Sequence, residues 1–264
     1  MGKSKKISKG KHIQKPYSRP SHHRSNKKGS SKSAPSPQVT FTIPFESSNR
    51  ILLVGEGDFS FSHSLLNAHG CASLLATSYD SRSNLVEKYP QAAAFIADLE
   101  AEETVDVLYK VDATKLDKAG KKITNGGFDR IVFNFPHVGG LTKDVNRQVR
   151  YNQELLVGFF RSALPLLAPA GSIIVTIFDG EPYDLWNIRD LARHVGLKVD
   201  RSFKFQAGAY PGYRHARTLG NIKDGGGWKG EDRGARTYMF YAKDGIASYS
   251  EPKKSNESTD DDQD

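Results

Sequence analysis

Between residues 50 and 241 the chain sets out seven short apolar runs rich in β-branched residues, separated for the most part by segments of helical spacing. Short runs of this kind suit strands covered on both faces, and their alternation with helices calls for a mostly parallel α/β sheet. The runs are Arg50 to Val54, Ser73 to Ser78, Val105 to Lys110, Phe128 to Phe133, Ser172 to Phe178, Leu197 to Phe205 and Arg236 to Tyr241. Helices are expected from Phe59 to His69, from Ser83 to Leu99 with an interruption at Pro90, from Leu155 to Leu167 before Pro169 and Gly171, and from Leu185 to Val195. The glycine-rich, basic and aromatic stretch Gln206 to Ala235 is too long for an ordinary hairpin turn.

Charge divides the chain into three parts. Residues 1–40 hold nine lysines and two arginines with no acid, and too few aliphatic side chains to offset the entropy of ordering. Residues 251–264 hold six acids against Lys253 and Lys254. Both are expected to be disordered arms flanking one folded domain at residues 41–250. Of the net +8, the basic arm supplies +11, which leaves the remainder at −3. A basic block of this kind suits a phosphate backbone and can serve as a nuclear or nucleolar address; its plainer reading is a solubilising terminus. Cys71 is the single cysteine, so an internal disulfide and a cysteine-based zinc site are excluded, and no metal site is expected. No apolar run is long enough for a membrane span, and none near the N-terminus suggests a secretory signal.

The chemistry gathers where strands should end. Gly55-Glu56-Gly57-Asp58 follows the first strand and opens a helix through Phe59 and Ser60, the context in which glycines admit a ligand close to the backbone. The third glycine of a pyrophosphate site is absent, which disfavours a nicotinamide or flavin dinucleotide. The added acid suits the sulfonium and amino group of S-adenosylmethionine. Asp80 ends the second strand, where an acid can accept from both ribose hydroxyls; a helix N-cap is its structural alternative. Asp112, with Ala113 after the third strand, can meet the adenine amino group or merely cap a turn.

The fourth strand ends in Asn134-Phe135-Pro136-His137, at the edge where open α/β sheets form their ligand crevice. Asn offers an amide, Phe a face for a planar base, and Pro a fixed chain reversal, although a plain strand exit has the same look. In the long stretch before the last strand, Tyr210, Tyr213, Arg214, His215 and Arg217 form an aromatic-basic cluster suited to phosphate contact and base stacking; a solvated loop is the alternative.

Taken together and in order, ILLVGEGDFSFSHSLL (51–66), ATSYDSR (76–82), VDAT (111–114), FDRIVFNFPHVGG (128–140), NQELLVGFFRSALPLL (152–167), GSIIVTIFDGEPYDLWNI (171–188) and YPGYRHART (210–218) resemble the eukaryotic large-subunit rRNA (uracil-N3)-methyltransferase family. The same domain occurs in ferredoxin-fold anticodon-binding domain-containing proteins. The resemblance covers the core and neither arm. It implies a Rossmann-like, seven-stranded class I methyltransferase sheet, S-adenosylmethionine as donor, large-subunit rRNA or a pre-ribosomal particle as partner, and residence in the nucleolus. Uracil N3 carries an imide proton that must leave, so the site has to accept a proton or stabilise the anion. His137 is placed to do so, with Asn134 on the base edge and Phe135 on its face, and histidines at strand ends also serve merely to bond a loop. The target uridine must be unpaired or flipped out. Two other readings stand beside this one: a methyltransferase of a protein or small molecule, and a non-catalytic ribosome-assembly factor that keeps the fold.

Overall fold

A computed structural model of the chain describes residues 41–221 and 230–243. The basic arm and the acidic tail lie outside the described residues. The elements run β1 (Ile51–Val54), α1 (Ser60–His69), β2 (Leu74–Thr77), α2 (Arg82–Lys88), α3 (Ala92–Glu100), β3 (Val105–Leu108), α4 (Lys121–Thr124), β4 (Phe128–Asn134), α5 (Val145–Ala163), β5 (Leu167–Phe178), α6 (Ile188–His194), β6 (Leu197–Lys204) and β7 (Ala235–Ala242). The seven strands form one sheet in the order β3-β2-β1-β4-β5-β7-β6. Pairings from β3 through to β5 are parallel, and β7 runs antiparallel between β5 and β6.

Strand alternation feeds two cores. Leu52, Val54, Ile131, Phe133, Ile173 and Val175 point to the side covered by α5 and α6, while Ile51, Leu53, Leu74, Ala76, Val132 and Ile174 point to the side covered by α1 and α3. Burial on both faces explains why β1 reads as an unbroken apolar run. The helices stop where the sequence tells them to. Gly70 takes φ 65° after α1 and its N–H reaches the carbonyl of Leu65. Pro90 parts α2 from α3, and Asp144 caps α5 by accepting from Arg147 N at 3.0 Å.

Two expected boundaries are corrected. The helix expected over residues 155–167 begins at Val145 and stops at Ala163, where Pro165 enters a short 3-10 turn. Pro169 and Gly171 therefore lie inside β5, whose pairing with β4 shifts register between Phe128 and Arg130. The helix expected from Leu185 is a 3-10 turn, Asp184–Trp186, followed after the left-handed Asn187 by α6. Beyond β6, Phe205 N bonds Ala235 O at 2.8 Å, and of the stretch between these two residues the described segment 210–221 lies across the turn that follows β1.

Candidate active site

Strand order reverses between β1 and β4, so the chain leaves these neighbours in opposite directions and opens a crevice at their carboxyl ends. Gly55 occupies this point at φ 70°, and a Cβ on it would come within 2.5 Å of the Phe133 ring. Phe59 is left-handed at φ 63° as the chain enters α1. Asp58 accepts from Ser60 N (3.1 Å) and from the Gln91 amide (3.2 Å), while Glu56 accepts from Ser62 N (3.2 Å) and Ser62 Oγ (2.7 Å). The two acids thus cap the opening turn of α1. Neither forms an ion pair among the described residues. Burial, reinforced by the nearby Asp58 charge and only partly offset by the Ser62 bonds, pushes the Glu56 carboxyl up to about 7. A desolvated acid with no basic partner fits a ligand that brings its own positive charge, as the sulfonium and ammonium of S-adenosylmethionine do.

The next two strand ends adjoin this turn. Asp80 pairs with Lys88 Nζ at 2.7 Å, and its carbonyl accepts from Lys110 N at 3.1 Å. Val111 N bonds Ser78 O at 3.0 Å, so the Asp80 and Asp112 segments are laced together. Asp112 caps the turn that follows β3, accepting from Thr114 N (2.9 Å) and Oγ1 (2.7 Å) beside Lys115 at 3.1 Å. Burial opposes its ionisation, but the Thr114 bonds and the Lys115 charge outweigh burial and hold the carboxyl below its usual range. Ala113 is buried, its carbonyl bound by Ser162 Oγ at 2.6 Å. Capping and cofactor contact are compatible, because each carboxylate retains lone pairs beyond those its neighbours use.

On the β4 side, Asn134 closes the strand and its amide nitrogen is buried with no partner among the described residues. Phe135 is left-handed at φ 51°, with its N–H on Thr176 O at 2.7 Å. Pro136 is buried. Val138 N donates to Asn152 Oδ1 of α5 at 3.0 Å, and Gly139 N donates to His137 Nδ1 at 2.8 Å. Burial lowers the affinity of His137 for a second proton.

The aromatic-basic cluster takes a different place from the one expected. Segment 210–221 is a strap bound down across the glycine turn: Arg214 N donates to Ser60 Oγ at 3.1 Å, Tyr89 hydroxyl donates to Arg217 O, and Asn221 N meets Lys88 O at 3.1 Å. Ala216 sits so close that a Cβ on Gly57 would lie 2.6 Å from its methyl. Tyr210 is 5% exposed and packs against Phe61, His69 and Phe205, so it is core and not a stacking platform. Tyr213 packs edge-on against Phe61 and Phe205 and meets His215 Nδ1 at 3.1 Å. Burial pushes His215 down to about 4, so it is neutral near pH 7. Its ring lies 4.3 Å from that of Phe135.

Two cavities share a wall formed by Phe135, His215, Ala216 and Thr218. One, of about 70 Å³, covers the glycine turn and includes Glu56, Asp58 and Asn134. The other, of about 280 Å³, is lined by Pro136, His137, Phe178, Tyr183, Trp186 and Arg233 among others. Arg233 lies 4.2 Å over the Phe178 ring. Sequence reasoning missed Asn152, Tyr183, Trp186 and Arg233. A polar residue in the apolar stripe of α5 marked the first, and the aromatic pair just past β5 marked the next two, since β5 is the neighbour of β4.

A parallel sheet reversed at its seventh strand, with a glycine turn after β1, an acid after β2 and an Asn-Phe-Pro-His turn after β4, defines a class I methyltransferase. The chain matches, over residues 52–217, the family described as rRNA (uridine-N3-)-methyltransferase BTM5-like. It is 34% identical over 278 residues to the 25S rRNA (uridine(2634)-N(3))-methyltransferase of Saccharomyces cerevisiae, covering 84% of this chain and 81% of that protein. It is also 34% identical over 208 residues to a mouse homolog of ferredoxin-fold anticodon-binding domain-containing protein 1, covering 72% of this chain and 30% of that one. Heavy metal-associated isoprenylated plant protein 41 of Arabidopsis thaliana is 37% identical over 182 residues, 68% of this chain and 35% of that protein. The chain therefore belongs to the BMT5-like rRNA (uridine-N3-)-methyltransferase family, and it is an S-adenosylmethionine-dependent methyltransferase.

Proposed function

We propose that the protein methylates N3 of an unpaired uridine in large-subunit rRNA, within the nucleolus. The observation that carries this reading is one cleft in which a desolvated, cation-seeking Glu56 and the unpartnered amide of Asn134 face the same space. Gly55, Glu56, Gly57, Asp58, Phe59 and Ser60 hold the methionine end of the cofactor, and Asp80, Asp112 and Ala113 its ribose and adenine. S-adenosylmethionine supplies an electrophilic methyl carbon on a sulfonium. Asn134, Phe135, Pro136 and His137 receive the base, with the Asn134 amide satisfying a polar atom of its edge. Among the strap residues, Arg214 and Arg217 serve the RNA backbone, while Tyr210, Tyr213 and His215 hold the strap in place. The basic arm tethers RNA by its charge, and the described residues contain no helix long and apolar enough to cross a membrane.

With Ala216 pressed on Gly57, the cleft is smaller than a nucleoside, so cofactor entry requires the strap to shift. Calorimetry with S-adenosylmethionine, followed by transfer of labelled methyl groups to purified rRNA and to total protein, tests the proposal. Label in rRNA as 3-methyluridine is the expected result. Label confined to protein, or cofactor binding without transfer to either, rejects it in favour of the alternative methyltransferase or the assembly factor.

A further inference from the structure

The larger cavity lies across the shared wall from the glycine turn. We propose that it receives the flipped-out uracil ring and that His137 reads the ring as a hydrogen-bond donor, through Nε2–H to the 4-carbonyl, which selects uracil against cytosine. The assignment rests on the methyl-transfer reading above and refines it.

The tautomer of a histidine is usually ambiguous, because most partners can either donate or accept. Here the partner of His137 Nδ1 is the backbone N–H of Gly139, at 2.8 Å. An amide N–H only donates. Nδ1 must therefore present its lone pair, and the neutral ring must carry its proton on Nε2. Burial favours that neutral ring over imidazolium, and a second proton on Nδ1 would point directly at the Gly139 N–H. With Nδ1 engaged and Nε2 already protonated, His137 has no free lone pair with which to take the imide proton. The base suggested by the sequence becomes a donor.

The rest of the cavity suits a planar guest. Phe135, Phe178, Tyr183 and Trp186 supply aromatic walls, and Arg233 spreads its guanidinium 4.2 Å over Phe178 and 5.4 Å from Tyr183. A volume of about 280 Å³ is at the low end of small-molecule sites and admits one nucleoside, not a base pair. Trp186, 1% exposed, packs 6.0 Å from the His137 ring and holds it in position. Uracil offers a carbonyl oxygen at position 4, where cytosine carries an amine. A fixed N–H is matched by the first and opposed by the second, and sites built around such a bond discriminate strongly. The same bond draws charge from N3 once its proton has passed to solvent hydroxide. The N3 electron pair then forms the bond to the methyl carbon, the carbon–sulfur pair stays on sulfur, and anion and sulfonium become two neutral products.

Three substitutions separate donor from base. His137→Gln keeps an N–H near the original Nε2 and supplies no base; His137→Glu supplies a base and no donor; His137→Ala supplies neither. With rRNA from cells lacking the enzyme, His137→Gln should retain about a tenth of the wild-type rate or more, while Glu and Ala fall about 10²- to 10³-fold. Glu surpassing Gln, or Gln no better than Ala, overturns the proposal. A transcript with cytidine at the modified position should yield no 3-methylcytidine with the wild type; comparable rates on both bases overturn it as well. Nitrogen-15 shifts of the His137 ring in the unmodified protein need no variant to fold: a pyridine-like Nδ1 and a protonated Nε2 at pH 7 are expected, and the opposite tautomer or an imidazolium refutes the assignment. If the wild type forms no 3-methyluridine at all, the proposed reaction fails, and the ring shifts still decide the tautomer.

Discussion

The proposed donor side of the site, at the ends of β1 to β3, and the proposed acceptor side, at the exit of β4, meet at one switch point and are built by opposite means. On the donor side the satisfying contacts are mostly short in sequence: Glu56 with Ser62, Asp58 with Ser60, Asp80 with Lys88, Asp112 with Thr114. On the acceptor side, the bond from Gly139 to His137 apart, they span the chain. Val138 leans on Asn152 of α5, Phe135 on Phe178 and His215, and Arg233 arrives from just before β7 to cover Phe178. A site made of local contacts is a motif, and a site made of distant ones exists only once the sheet has formed.

The largest expected effect tests whether the strap belongs to the fold or to the substrate surface. Tyr210→Ala should cost about 3–5 kcal/mol of stability, the usual loss for a buried aromatic, seen as a lowered denaturant midpoint. A stable Tyr210→Ala protein with weakened RNA binding would return this residue to the recognition surface. Asn134→Ala probes the acceptor side. It should lower transfer by about 10²- to 10³-fold, or ~3–4 kcal/mol, with cofactor affinity near wild type by calorimetry. Full activity would remove Asn134 from the reacting edge.

Glu56 sharpens the donor side through pH. Its folded pKa of about 7 lies above the value of 4.5 for a free carboxyl, so the folded state binds the proton more tightly than the unfolded chain. The stability this gives is fully present below about pH 4.5 and is lost as pH rises through 7, by at most about 3 kcal/mol. Glu56→Gln should flatten that part of the stability profile, while in the wild type affinity for the cationic cofactor should climb over the same interval. Identical profiles for the two proteins would show that Glu56 is solvated. A smaller effect is expected at Asp80, where removal of the ribose bonds in Asp80→Ala should weaken cofactor binding by about 1–3 kcal/mol and leave the rate at saturation little changed. Unchanged affinity would leave Asp80 as a partner of Lys88 alone.

The same contrast explains what the sequence disclosed. Strands β1 and β2 were legible because burial on both faces forces nearly unbroken apolar runs, β4 because the buried Ile131, Val132 and Phe133 follow Asp129 and Arg130, and the glycine turn because Gly55 needs a positive φ beside Phe133. The start of α5 was not legible, since its first turns carry Asn146, Arg147 and Arg150 on an exposed face and the apolar stripe emerges only further along. The strand character of residues 167–171 was hidden by Pro169 and Gly171, which a bulged pairing with β4 tolerates. Tyr210 misled because an aromatic flanked by glycine, proline and arginine reads as exposed, and only the folded sheet brings Phe61 and Phe205 to cover it. Arg233 carries no local signal, being 47 residues from Trp186 in the chain and joined to it only by the cavity both line.

The central claim is that the two sides together deliver a methyl group to uridine N3 in rRNA, and nucleoside mass spectrometry of rRNA from cells with and without the gene tests it most directly. The large-subunit rRNA should lose 3-methyluridine when the gene is deleted, regain it with the wild-type chain, and fail to regain it with Asn134→Ala. An unchanged content of 3-methyluridine in the deletion would contradict the account.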